Sequence, residues 1–256
     1  MSRMNTDSEQ KISVVVPVFN EEDCIKKTLD ELFGILQNDF PERFEVIVIN
    51  DGSTDQTSGI LQSLASTNSN MQLFSLDKNY GQSAAFGAGF RMARNDVVVT
   101  IDADGQYDPK DIKKVVDGLD GADVCCGYRS QRRDTWSKRI GSLLGNGTRN
   151  LLLKESIRDT GCSLKAFRKE IVCDLPMAFA GMHRFLPALC VMKGAVLREL
   201  PVNHRFRLAG KSKYTNWSRL KVTASDVFAV RWMQRRYRKY FISVQPKGYP
   251  YVERIP

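Results

Sequence analysis

The sequence predicts an α/β fold with a mostly parallel central sheet, because short apolar runs alternate with amphipathic stretches and several of the runs end at carboxylates. The most telling run is Val97-Val98-Val99-Thr100-Ile101, which stops at Asp102-Ala103-Asp104-Gly105-Gln106. An unbroken apolar run reads as a strand buried on both faces, as the strands of parallel sheets are. Its carboxyl end lies on the edge at which open α/β sheets bind their ligands.

Each element follows from its own pattern. Ile12 to Val18 gives the first strand, and Ile25, Leu29, Leu32 and Leu36 recur at helical spacing after it. Residues 44 to 49 give the second strand. A helix is expected to follow Ser53, since Ser53 and Gln56 stand at capping-box spacing. A strand at 71 to 76, a helix at about 82 to 94 and the strand before Asp102 continue the alternation, which extends to Ala122-Asp123-Val124-Cys125-Cys126-Gly127. Between 127 and 162 the regularity weakens, with Gly, Arg and Asn scattered through the stretch. Residues 217 to 241 read as an amphipathic helix, with Leu220, Val227, Phe228, Val230, Trp232 and Met233 among basic side chains. The expected division is a polar tail over 1–10, the α/β domain over 11–214 and a basic segment over 215–256.

A chain of 256 residues with 42% hydrophobic content can bury one substantial core. Its opening is polar and the first apolar run is too short for a secretory signal, so a cytoplasmic chain is expected. No window reaches the roughly 18 consecutive apolar residues of a spanning helix. Cysteines 24, 125, 126, 162, 173 and 190 show no paired metal-ligand spacing and are read as reduced thiols. The net charge of +9 is uneven, with Arg129, Arg132, Arg133, Lys138 and Arg139 in one cluster and Arg231, Arg235, Arg236, Arg238 and Lys239 in another. Such clusters attract phosphates of any kind. Nucleic acid is not the expected partner, because no helix-turn-helix, finger or aromatic RNA-binding motif is present, and lipid phosphate fits better.

The strand ends carry the chemistry. Asp102 and Asp104 are suited to share one hard divalent cation, Mg2+ or Mn2+, and to hold it against a diphosphate, since such ions take carboxylate and phosphate oxygens together. Read alone, the same acids make a solvated turn ahead of a helix, with Asp108 capping and Pro109 in the first turn. The first strand ends at Pro17-Val18-Phe19-Asn20-Glu21-Glu22, an aromatic ring and carboxylates where a flat base can stack and bond. The second ends at Asn50-Asp51-Gly52-Ser53, in which Asp51 can accept from a base or ribose and Gly52 permits the turn. Acids at three ends of one sheet edge favour the metal reading over three separate capped turns.

In order and spacing these motifs resemble the family 2 glycosyltransferases, and within them the polyprenyl-phosphate branch that includes dolichol-phosphate mannose synthase-like members. The resemblance runs from about residue 12 to 214. It rests on Val-Pro-Val-Phe-Asn-Glu-Glu at 16 to 22, Asn-Asp-Gly-Ser-Thr-Asp at 50 to 55, Asn79-Tyr80-Gly81-Gln82, Ile-Asp-Ala-Asp-Gly-Gln at 101 to 106, Gly127-Tyr128-Arg129, Asp159-Thr160-Gly161-Cys162 and the stretch 204 to 214. It implies a GT-A type nucleotide-binding domain. Pro17, Phe19, Glu21, Ile49 and Asp51 would line a nucleoside pocket, Asp102, Asp104 and Gln106 would hold the metal, and these three with Ala103 would bind the diphosphate of a UDP- or GDP-linked sugar. Asn50 departs from the pattern of many members, which have a second Asp there, and Asp51 is expected to suffice.

The reaction implied is inverting transfer to a polyprenyl phosphate at the cytoplasmic membrane face, in the irregular stretch 127 to 162 and beyond. Arg129, Arg139 and Ser142 would bind the acceptor phosphate, with Arg205 or Arg207 nearby, because guanidinium groups grip phosphate bidentately. Lys211 and Lys213 fall in a loop resembling the one that closes over donor and acceptor in this branch. Candidate catalytic residues are Asp104, Arg205 and Asp159. Asp159 either orients an arginine or acts as general base for a hydroxyl acceptor on a glycan or glycolipid. His183 and His204 are expected to be structural. The basic, aromatic C-terminal segment is expected to meet a membrane surface or a membrane-bound partner, or else to pack on the core. A non-catalytic nucleotide-sugar or phospholipid binding protein is the reading of another class.

Overall fold

The computed structural model describes residues 10–129, 147, 149–205 and 216–239, with side chains from 225 onward in the last stretch. Among these residues seven strands form one sheet: β1 (Ile12–Val18), β2 (Phe44–Asn50), β3 (Met71–Ser75), β4 (Val97–Thr100), β5 (Val124–Arg129), β6 (Lys165–Arg168) and β7 (Leu197–Val202). Their order is β3-β2-β1-β4-β6-β5-β7. The pairs β1–β2, β2–β3, β1–β4 and β5–β7 are parallel, and β6 runs antiparallel to both β4 and β5. The expected parallel sheet is therefore present, with one reversed strand in its middle.

Side chains alternate along the buried strands into two cores. Val14, Val16 and Val18 of β1, with Val46, Val48, Val97 and Val99, meet α1 (Ile25–Asp39), α2 (Thr57–Thr67) and α4 (Asp111–Asp117) on one face. Val15, Ile47, Ile49 and Val98 meet α3 (Gln82–Met92) on the other, together with the 3-10 turn Met182–Phe185, α6 (Leu186–Met192) and α7 (Asn216–Arg236). A short helix α5 (Lys169–Val172) follows β6. Because both faces are covered, most buried strand positions are apolar, and the buried polar pair Ser13 and Glu45 is satisfied by a bond from Ser13 Oγ to Glu45 Oε1 at 2.6 Å.

The crossover from β1 leaves through α1 on the first face, whereas the chain enters β4 from α3 on the second. The carboxyl ends of β1 and β4 thus flank the point where the strand order reverses, the crevice in which open α/β sheets bind ligands.

Two local expectations are corrected. The box of Ser53 and Gln56 does not form, and α2 begins only at Thr57. Ser53 Oγ instead accepts from Asn20 N at 3.0 Å, and the helix start is served by Asp55 Oδ1, which accepts from Thr57 N at 3.0 Å, and by Glu22 Oε2, which accepts from Gln56 N at 2.8 Å. A contact between neighbouring strand-end loops has outcompeted a cap within one of them. The C-terminal helix ends at Arg236, and it carries apolar side chains on two sides: Val227 and Val230 are buried in the second core, while Phe228 and Trp232 are exposed.

Candidate active site

The rim at the carboxyl ends of β1, β2 and β4 is stitched together by side chains that the sequence places there. Asn20, in a left-handed conformation at φ 52°, donates from Nδ2 to Thr54 Oγ1 at 3.1 Å and accepts from Thr54 N at 2.8 Å. Glu21 N donates to Thr57 Oγ1 at 2.9 Å, and the Cys24 thiol lies 3.3 Å from Glu21 Oε2. Pro17 and Phe19 stand at the end of β1, half-buried, whereas Ile49 is inside the second core beneath the rim. Gly52 is required by close approach, since a Cβ there would lie 2.4 Å from the Lys78 carbonyl carbon.

Asp51 turns its buried carboxylate toward the loop before α3. Oδ1 accepts from Tyr80 N at 2.8 Å, and Oδ2 accepts from Gly81 N at 2.8 Å and Asn79 Nδ2 at 3.0 Å. Burial pushes its pKa above the usual carboxylate value, and the Tyr80 and Gly81 amides only partly offset this. The residue expected to meet a nucleoside is therefore also the organiser of the segment Asn79-Tyr80-Gly81.

Asp102 and Asp104 follow β4 directly. Asp102 N donates to Ser163 Oγ at 3.1 Å, and Thr100 Oγ1 donates to the Ser163 carbonyl at 2.6 Å, so the strand end is fixed by the segment that leads into β6. Asp102 Oδ1 accepts from Gln82 Nε2 at 2.6 Å. Asp104 is buried, and its Oδ1 accepts from Gln106 N at 3.1 Å. Ala103 faces the first core. The donor set is oxygen only, and among the described residues no three His, Cys, Asp or Glu side chains gather as a closed metal cage. Two carboxylates and an amide from one turn fit Mg2+ or Mn2+, which keep places for phosphate and water, and they do not fit a structural zinc site.

Beyond this turn the chain builds a second polar cluster. Arg129 at the end of β5 grips Asp159 with Nε to Oδ2 at 2.7 Å and Nη2 to Oδ1 at 2.9 Å, and its backbone N also donates to Oδ2 at 3.2 Å. Gly161 N donates to Asp159 Oδ1 at 3.2 Å. Burial works against the Arg129 charge, yet the bonds to Asp159 carry its pKa above the usual arginine value, so it stays a cation. Tyr107 donates to the Gly161 carbonyl at 3.3 Å and stacks edge-on with His204 at 5.5 Å, where the two residues also form an antiparallel bridge. Burial raises the Tyr107 phenol well above its ordinary value. Arg205 N donates to the Gln106 carbonyl at 2.7 Å. Its guanidinium pairs with Glu31 at 2.7 Å and Asp108 at 2.7 Å, so this arginine braces the turn after Asp104 against α1.

Thus Glu21, Asp51, Asp102, Asp104, Gln106, Arg129, Asp159 and Arg205 all lie on or beside the carboxyl-terminal rim. Arg139, Ser142, Arg207, Lys211 and Lys213 lie outside the described residues. Sequence reasoning gave no role to Gln82, Ser83, Tyr107 or Ser163. Gln82 stood at the end of a quoted motif, next to a glycine and at a helix start, which was the signal available. His183 has a structural partner, with Nδ1 at 2.8 Å from Ser83 Oγ. The six cysteines are free thiols.

The family model for glycosyl transferase family 2 matches residues 13–175. The chain belongs to that family. Relatives named undecaprenyl-phosphate 4-deoxy-4-formamido-L-arabinose transferase are 34% identical over 210 residues in Edwardsiella ictaluri, covering 80% of this chain and 63% of the relative. In Aeromonas hydrophila the figures are 34% over 213 residues, 82% and 65%. The chain spans less than two thirds of the length of these curated relatives. A mannosyltransferase from Pyrobaculum calidifontis solved with GDP-Man and Mn2+ superposes with TM-score 0.63 at 17% identity, covering 90% of this chain and 65% of its own. Glucosyl-3-phosphoglycerate synthase from Mycobacterium tuberculosis, solved with Mn2+, UDP and phosphoglyceric acid, gives 0.65 at 19%, covering 90% and 80%. At these identities the likeness is one of fold, and the fold of this family 2 member is the GT-A type.

Proposed function

We propose that this family 2 chain transfers a sugar, with inversion, from a nucleotide-sugar to a polyprenyl phosphate, and that a divalent cation assists. The observation that carries the acceptor assignment is the Arg129–Asp159 pair. Both Asp159 oxygens are held by the guanidinium. A hydroxyl acceptor needs a base in line, whereas a lipid monophosphate is already an anion and needs positioning. The names of the curated relatives support the same acceptor class.

In this reading Asp102, Asp104 and Gln106 hold the cation, which when bound supplies Lewis acidity toward a leaving diphosphate. The nucleoside lies over Pro17, Phe19 and Glu21, beside the loop that Asp51 organises. Arg129, aligned by Asp159, orients the acceptor phosphate, with Arg139, Ser142, Arg207, Lys211 and Lys213 as further phosphate ligands. An acceptor oxygen attacks the anomeric carbon opposite the bond to the diphosphate, and that bond breaks as the new one forms. Arg205 acts by bracing the turn after Asp104. The rim-forming part is the domain 11–214, and the segment 215–256 attaches it peripherally to the inner face of a membrane. Exposed Phe228 and Trp232 beside Arg235, Arg236, Arg238 and Lys239 support that attachment, since cations meet anionic headgroups while aromatics enter the acyl boundary. Among the described residues no helix is long and apolar enough to cross a membrane.

The test is transfer of radiolabel from a panel of UDP- and GDP-sugars into organic-extractable lipid, with purified protein, polyprenyl phosphate and Mn2+ or Mg2+. Labelled lipid that is lost with chelator and cleaved by mild acid supports the proposal. Donor hydrolysis without labelled lipid would move the acceptor to a hydroxyl.

A further inference from the structure

The first turn of α3 is tied down on three sides. Before it, Tyr80 N and Gly81 N donate to the buried Asp51 carboxylate, and Gly81 adopts φ +89°, a conformation that L side chains rarely take. Within it, Ser83 is buried, and its Oγ accepts from His183 N at 3.1 Å and bonds His183 Nδ1 at 2.8 Å. Between these anchors stands Gln82, whose Nε2 donates to Asp102 Oδ1 at 2.6 Å.

That contact is short because its acceptor is a carboxylate, and charge-assisted hydrogen bonds are the stronger and more directional kind. It also sets an anion against the amino end of an 11-residue helix, where the backbone dipoles favour negative charge. An Asp side chain has broad freedom about its terminal torsion. One fixed donor removes that freedom, and it does so from a helix turn that is itself immobilised by Asp51 and His183.

We infer that Gln82 is a positioning residue for the metal site: it holds the Asp102 carboxylate in one orientation, and through Gly81 and Asp51 it couples that orientation to the nucleoside side of the rim. The inference rests on the reading of Asp102 and Asp104 as cation ligands. Gln82 itself touches neither cation nor substrate in this account. Removing the partner that orients a metal ligand weakens metal affinity by about 10- to 100-fold in general.

The experiment is titration of the full chain with Mn2+ in the presence of UDP or GDP, reading free Mn2+ by electron paramagnetic resonance, for wild type, Gln82→Ala and Gln82→Met. Gln82 is half-buried at a helix start, so alanine there keeps the helix, and thermal unfolding of each variant checks this. The expected result is a Mn2+ constant weakened about tenfold in both Gln82→Ala and Gln82→Met, the second of which keeps the side chain's length without its donor, with unchanged melting temperatures and an unchanged acceptor KM. Equal Mn2+ constants in wild type and Gln82→Ala would overturn the inference while leaving the metal reading intact. A weakened Gln82→Ala beside a Gln82→Met that binds Mn2+ as wild type does, or lowered melting temperatures in both variants, would overturn it in favour of a structural role. Absence of nucleotide-dependent Mn2+ binding in wild type would instead overturn the metal reading itself.

Discussion

Single side chains at the rim have separable jobs, and substitutions separate them. Asp104→Asn removes one carboxylate from a buried turn and keeps the bond from Gln106 N, so the fold should survive while transfer falls on the order of 10²- to 10³-fold through lost stabilisation of the leaving group. Steady-state kinetics beside a melting curve check this. Asp159→Asn tells orientation from proton abstraction. With an orienting role, acceptor KM rises about tenfold and the pH profile keeps its shape, whereas loss of a general base costs 10²- to 10⁴-fold in kcat and removes a limb of the profile. Arg129→Ala strips the partner from a carboxylate that is only 4% exposed, and should lower stability by about 3 kcal/mol, the low end for breaking a buried pair, because the arginine is itself 19% exposed. The thiols form a further test. Burial pushes Cys125 and Cys162 up to about 11 and Cys190 up to about 12. Since the thiolate is the reactive form, iodoacetamide at neutral pH should label the half-buried Cys173 first, as mass spectrometry of the native protein would read.

At the scale of elements, legibility depended on whether a segment's partners were local. Strands β1, β2 and β4 were readable because burial on both faces leaves predominantly apolar runs, even with Ser13 and Glu45 inside two of them, and helix α1 because its apolar residues face one core. Strand β6 was missed, as Lys165-Ala166-Phe167-Arg168 carries charge at both ends and pairs only with distant strands. Edge strand β7, mostly half-exposed, has little apolar signature. The capping signal at Ser53 failed because Asn20, 33 positions away, captured that hydroxyl. Helix α7 shows two apolar sides with different predicted consequences. Val230→Ala removes methyl groups from a fully buried site and should lower stability by roughly 1 to 3 kcal/mol. Phe228→Ser with Trp232→Ser should leave the melting temperature unchanged and weaken sedimentation with phosphatidylglycerol vesicles. Equal vesicle binding by that double variant would remove the membrane role from this face.

For the whole molecule, the sheet order places the site before any side chain is considered, since the reversal between β1 and β4 opens the crevice that Asp102 and Asp104 face. Position on that edge was legible from where the apolar runs stop. Function within it was less legible, because a carboxylate's role depends on what bonds it. Asp51 turned out to organise a loop, Asp159 to pair with Arg129 and Arg205 to brace a turn, and none of these bonds has a local sequence signature. The account gives donor binding to one side of the rim and an anionic acceptor to the other. The measurement that tests it most directly is a comparison of polyprenyl phosphate with the corresponding polyprenol as acceptor, under one labelled donor with Mn2+. The account predicts mild-acid-labile labelled lipid from the phosphate and none from the alcohol, whereas labelling of the polyprenol, or transfer to a glycan hydroxyl alone, would contradict it.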